Sequence, residues 1–81
     1  MTIDEIKPGQ TVIIRKGSKV RSDKPNKKNY VLARNQKVKV YFVFKNGYVG
    51  DDYPNKPPEI SWAGAGGYWC YTDLENIIEV V

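Results

Sequence analysis

The residues of this chain that could do covalent chemistry are few, and each lacks the partner such chemistry needs. Cys70 is the only cysteine among 81 residues, and there is no histidine. A thiol becomes a nucleophile when a neighbouring base, most often an imidazole, takes its proton. Without histidine, a Ser–His–Asp triad, a Cys–His pair and a histidine zinc site are excluded within one chain. With one cysteine, an internal disulfide and a Cys-based zinc cage are excluded too. Set between Trp69 and Tyr71, Cys70 reads as a small buried hydrophobe. Asp51-Asp52 is a pair of carboxylates in a loop; adjacent side chains there rarely share one cation, so the pair reads as a solvated turn. Gly64-x-Gly66-Gly67 lies between two β-type segments and precedes no helix, so it is not a phosphate-cradling loop. The expectation is a non-catalytic binding module with no cofactor and no metal.

Binding chemistry is better represented. Arg15, Lys16, Lys19, Arg21, Lys24, Lys27 and Lys28 fall within 14 residues, and Arg34, Lys37 and Lys39 follow. Lys and Arg in this density suit the phosphates of a nucleic acid. They suit an acidic protein equally well. Aromatic faces on which bases stack could come from Tyr30, Tyr41 and the Trp69/Tyr71 pair. The charge is split along the chain: residues 1–6 carry −2, residues 7–45 carry +11 and residues 46–81 carry −5, so the net +4 hides a strongly basic half. That asymmetry points to a polyanion or an acidic protein as partner.

The stretch ISWAGAGGYWCYTD, residues 60–73, concentrates two Trp, two Tyr and the Cys. Period-two alternation puts Tyr68, Cys70 and Thr72 on one face and Trp69 and Tyr71 on the other. Cysteine is usually buried. That phase sends Tyr68 and Cys70 into the core and leaves Trp69 and Tyr71 outward, where with Tyr41 they would form an aromatic patch. In the opposite phase Trp69 and Tyr71 fill the core. Trp62 shares a face with Ile60 and reads as core.

The elements that must position these residues are almost all strands. Thr2-Ile3-Asp4-Glu5 fits a capping box, but Pro8-Gly9 ends any helix within a turn. Thr11 to Arg15 is a first strand. Residues 16–29, polar and punctuated by Gly and Pro, read as one long basic loop. Tyr30 to Arg34 is a second strand, and Asn35-Gln36 a tight connection. Lys37 to Lys45 is the strongest strand, with Val38, Val40, Phe42 and Phe44 on one face and Lys39, Tyr41, Val43 and Lys45 on the other. Asn46-Gly47 is a hairpin-turn signal, and residues 48–58 are too rich in Pro and Asp to pair. Glu59 to Trp62 and Tyr68 to Thr72 flank a glycine-rich turn. Thr72-Asp73-Leu74-Glu75 is a second capping box, enough for one 3₁₀ turn, before a last strand at Ile77 to Val81.

Eighty-one residues make a single domain, 1–81, with a small core. No apolar run approaches the ~20 residues that span a bilayer. MTIDEIKPGQ shows neither the basic-then-apolar pattern nor the cleavage site of a secretory signal. A lone cysteine and no signal predict a cytoplasmic protein, with no membrane partner.

The order of elements resembles the SH3-like small β-barrel superfamily. Lys7-Pro8-Gly9-Gln10-Thr11-Val12-Ile13-Ile14 is similar to the Gly-x-x-Val first strand of KOW-type and related barrels, which include Tudor-like ones. Asp73-Leu74-Glu75-Asn76-Ile77-Ile78-Glu79-Val80 is similar to their acidic–Leu–Glu turn and final strand. The resemblance implies an all-β barrel of five or six antiparallel strands, with a single 3₁₀ turn before the last. Barrels of this kind bind nucleic acid or ribosomal surfaces, grip peptides, or serve as small subunits of larger complexes, and fold alone does not choose among these. An OB-fold is the nearest competing architecture.

Overall fold

Pro8-Gly9 sets the first boundary. Gly9 has φ +90°, which residues with a Cβ rarely adopt, and the chain leaves this turn into β1, Thr11–Ile14. Val12 and Ile14 are buried and Thr11 and Ile13 half-buried, the alternation that the sequence predicts. The computed structural model describes residues 5–26, 29–45 and 57–81. The Thr2 end of the first capping box, Lys27, Lys28, Asn46-Gly47, Asp51-Asp52 and most of the 48–58 loop lie outside the described residues.

Residues 16–29 are not one loop. Lys19–Ser22 form a strand, β2. A short period-two pattern lies under the charges: Val20 and Ser22 are buried, while Lys19 and Arg21 point the other way. Gly17, at φ +86°, turns the chain ahead of it. The next strand, β3, is Asn29–Val31, shorter than the expected Tyr30–Arg34. Leu32 leaves the ladder for the core. Its N–H donates to the Ser18 carbonyl, and its own carbonyl accepts from the Gly17 N–H.

The expected nine-residue strand from Lys37 divides in two. β4 is Gln36–Lys39 and β5 is Phe42–Phe44. Val38 and Val40 are buried, but Tyr41 and Phe42 are both exposed, and Val43 then packs against the core. The alternation changes phase between Tyr41 and Phe42. Phe42 and Phe44 therefore do not share the face of Val38 and Val40. The cause is a change of partner: the Val40 N–H donates to Gln10 in one sheet, and the Tyr41 N–H to Ser61 in the other.

β6, Glu59–Ala63, and β7, Trp69–Asp73, form a hairpin closed by a 3₁₀ turn at Ala65–Gly67. A second 3₁₀ turn, Leu74–Asn76, stands where one was expected and leads into β8, Ile77–Val80. Its N-cap is Asp73, without a side-chain cap bond. Thr72 is instead buried, and its Oγ1 accepts a 2.9 Å bond from Trp62 Nε1. That bond lets the indole sit in the core without an unmet donor.

The described residues thus hold eight strands rather than five or six, and two such turns rather than one. They form two antiparallel sheets, β4-β1-β8 and β3-β2-β7-β6-β5. Inner faces of both sheets share one core, which includes Val12, Ile14, Val20, Val38, Ile60 and Trp62.

Candidate functional site

The outer face of the five-stranded sheet is built from residues that alternate with this core. Register places Arg21 opposite Tyr71, Tyr71 opposite Ser61, and Ser61 opposite Phe42, a single row across four strands. Beside it, Trp69 stands opposite Ala63. Along β6 the outward residues Ser61 and Ala63 are small, while those on β7 and β5 are aromatic. Small residues between tall ones make a trough over β6.

The Tyr41–Trp69 pair divides that trough. Their ring centroids are 4.4 Å apart with the planes tilted by 38°. Tyr41 is 61% exposed and Trp69 37%, so the pair forms a ridge that solvent reaches. On one side lies a hollow of about 330 Å³ with Phe42, Phe44, Ser61 and Tyr71 in its walls. On the other lies a hollow of about 290 Å³ lined by Gly9, Lys39, Val40 and Ala63. Phe42 and Phe44 stack at 5.0 Å, and Phe44 lies 6.3 Å from Tyr71. The expected patch of Tyr41, Trp69 and Tyr71 is therefore assembled, and Phe42 and Phe44, expected on the face of Val38 and Val40, have joined it.

The two aromatics of β7 play different parts. Both face outward, as Cys70 and Thr72 face in. Trp69 is accessible, but Tyr71 is only 6% exposed. The Arg21 guanidinium lies 5.0 Å over the Tyr71 ring, and the Tyr71 hydroxyl donates to Asp23 Oδ2 at 3.0 Å. Tyr71 is thus a fixed wall and not a platform. Tyr68, expected in the core with Cys70, is 39% exposed. It lies one residue before β7, at the turn end of the hairpin, where its carbonyl accepts from the Gly64 N–H.

The basic residues are distributed over three places. On β2, Lys19 is exposed and Arg21 is committed: Nη2 makes a 3.0 Å ion pair with the buried Glu59. Lys24 follows, half-buried, with its N–H on Ser22 Oγ. The hollow between β2 and β3, about 430 Å³, is lined by Lys19, Arg21, Glu59 and Asp73 among others. Its mixed charge makes it a poor seat for a polyanion. A second group, Arg15, Lys16 and Arg34, gathers where β1 ends and β4 begins. The Lys16 N–H donates to Asn35 Oδ1 at 2.7 Å, and Arg15 Nη2 to Asn76 Oδ1 at 3.1 Å. Lys39 is the third, beside the aromatic ridge.

Cys70 is buried. Its sulfur lies 3.8 Å from the Tyr30 hydroxyl and donates to the Tyr68 carbonyl at 3.9 Å. Burial, with the contact to Cys70 added, pushes the Tyr30 hydroxyl up to about 12 from its ordinary 10. Tyr30 therefore serves the core, not the stacking surface. Among the described residues no three of Cys, Asp and Glu come together to hold a metal ion, and no helix is long and apolar enough to cross a membrane. Comparison with family models, with curated proteins and with solved structures returns no match.

Proposed function

We propose that the chain is a non-catalytic module that binds single-stranded nucleic acid over the outer face of its five-stranded sheet. The observation that carries this reading is the accessible Tyr41–Trp69 ridge with Lys39 in the wall of the adjoining hollow. An unpaired base can stack on such rings for about 1–3 kcal/mol, and a lysine beside them meets the phosphate of the same nucleotide. A duplex keeps its bases stacked on each other and gains nothing from the ridge. A cytoplasmic setting accords with the unpaired, buried cysteine.

We also propose that the two sheets are the halves of a small SH3-like barrel. Support comes from the Val40–Tyr41 junction, where one continuous segment bonds first to the three-stranded sheet and then to the five-stranded one.

Titration of the full chain with fluorescent single-stranded and duplex oligonucleotides at 50 and 200 mM NaCl tests the function. Salt-sensitive binding of the single strand, with quenching of tryptophan emission, is expected. Trp69→Ala should weaken it by roughly tenfold or more, corresponding to one lost stack. Equal binding of duplex and single strand, or none of either, overturns the reading.

One observation favours a second reading, docking of an acidic protein by an adaptor or small accessory subunit. Phe42, 52% exposed, adds apolar surface of the kind that centres protein interfaces. Pull-down of an acidic protein that Phe42→Ser abolishes, in the absence of oligonucleotide binding, would select it.

A further inference from the structure

We infer that the bound strand runs off the aromatic ridge along β4, with its phosphates on Lys39 and Lys37 and its end at the Lys16–Arg34 corner. The inference rests on the nucleic-acid reading above and adds the path.

Lys37 and Lys39 alternate with the buried Val38 and Val40, so both project from the outer side of β4. Tyr41 is the next outward position, and it shares a hollow with Lys39 and Trp69. Successive outward positions on a strand are about 6.6 Å apart. That is close to the step of a stretched single strand, so bases stacked at the ridge leave the following phosphates over Lys39 and then Lys37. Beyond Lys37 the row reaches the turn of Arg34 and Asn35, where the Lys16 backbone is anchored. The basic row is thus continuous with the aromatic pair.

The rival path over β2 lacks this continuity. Arg21 is held by Glu59 and lies on Tyr71, and Asp23 and Asp73 share its neighbourhood. A phosphate there would compete with carboxylates already in place. Among the described residues of β1 and β8 the acid is Glu79, which lies across Ile13 from Lys37. Two strand spacings put it about 10 Å away. Exposed charges at that distance are largely screened at physiological salt.

Anisotropy of fluorescein-labelled dT10 at 50 mM NaCl tests the path, with three full-length proteins: the wild type, K37E/K39E and K19E/K24E. The two variants change the net charge equally. K37E/K39E is expected to lose about tenfold or more in affinity, and K19E/K24E less than about threefold. Equal losses, or a larger loss from K19E/K24E, would overturn the β4 path while leaving the nucleic-acid reading intact. A wild type that binds no dT10 would overturn both. Circular dichroism melts establish that each variant folds; should charge reversal unfold one, K37Q/K39Q against K19Q/K24Q must give the same ranking with smaller losses.

Discussion

Gly64 has no room for a side chain. A Cβ built there would lie 2.5 Å from the Cys70 sulfur, closer than real Cβ atoms come. Cys70 is buried, so Gly64→Ala should destabilise the fold by about 1–3 kcal/mol, the ordinary cost of overpacking. In a Cys70→Ala background the clash is gone, and the same substitution should cost well under half as much in a denaturant melt. An unchanged cost would place the strain elsewhere. Tyr30 makes a prediction of the same scale. Its hydroxyl titrates near 12 in the folded chain and near 10 when unfolded. Between those values the unfolded chain has released a proton that the folded chain keeps, so its contribution to stability is complete below pH 10 and declines as pH rises toward 12. Tyr30→Phe should flatten that decline in denaturation midpoints taken from pH 9 to 12. Parallel curves for the two proteins would sink the assignment.

Between elements, β2 is tied to β6 over the top of β7. Arg21 reaches across Tyr71 to Glu59, whose carboxylate is almost wholly buried. Arg21→Met would leave that charge without this partner and should cost about 1–3 kcal/mol. Replacing both, R21M/E59M, should recover most of the loss, because two apolar chains need no partner. A double variant as unstable as R21M would show that the pair is not the source. This bridge was not legible in the sequence, and the reason is general for the chain. Alternation reads short-range order well: it placed Val12 and Ile14, Ile60 and Trp62, and it named Tyr41, Trp69 and Tyr71. It fails where a strand changes partner or is masked by charge. KVRS reads as loop until β7 pairs with it, which divides the basic segment between a sheet face and a corner. The run from Val40 to Phe44 holds five apolar residues without a break. That loss of alternation was the available sign that the phase shifts, and it would have taken Phe42 and Phe44 off the face of Val38 and Val40. Long-range register, which sets Arg21 against Tyr71 and Trp69 against Ala63, has no local signature at all.

For the molecule as a whole, the question is how much of the +11 carried by residues 7–45 a polyanion would meet. If every basic residue there touched phosphate, binding would be extremely salt-sensitive. The fold argues for fewer. Arg21 is paired with Glu59, Arg15 is bonded to Asn76, and Lys19 lies on the other side of the aromatic wall. Lys39, Lys37, Lys16 and Arg34 lie along the proposed path, which gives about three to five phosphate contacts. Each contact on a single strand contributes about −0.7 to the slope of log K against log salt. The expected slope is therefore about −2 to −3.5, or a loss of roughly twenty- to hundredfold in affinity between 50 and 200 mM NaCl. A slope near −7 would mean that both basic regions bind at once, and would force the strand to wrap around β2 as well. A slope near zero would remove phosphate from the account, leaving the aromatic trough to an uncharged or protein partner. Measured together with the K37E/K39E variant, whose slope should fall by about 1 to 1.5, the salt dependence counts the contacts and locates them in one series of titrations.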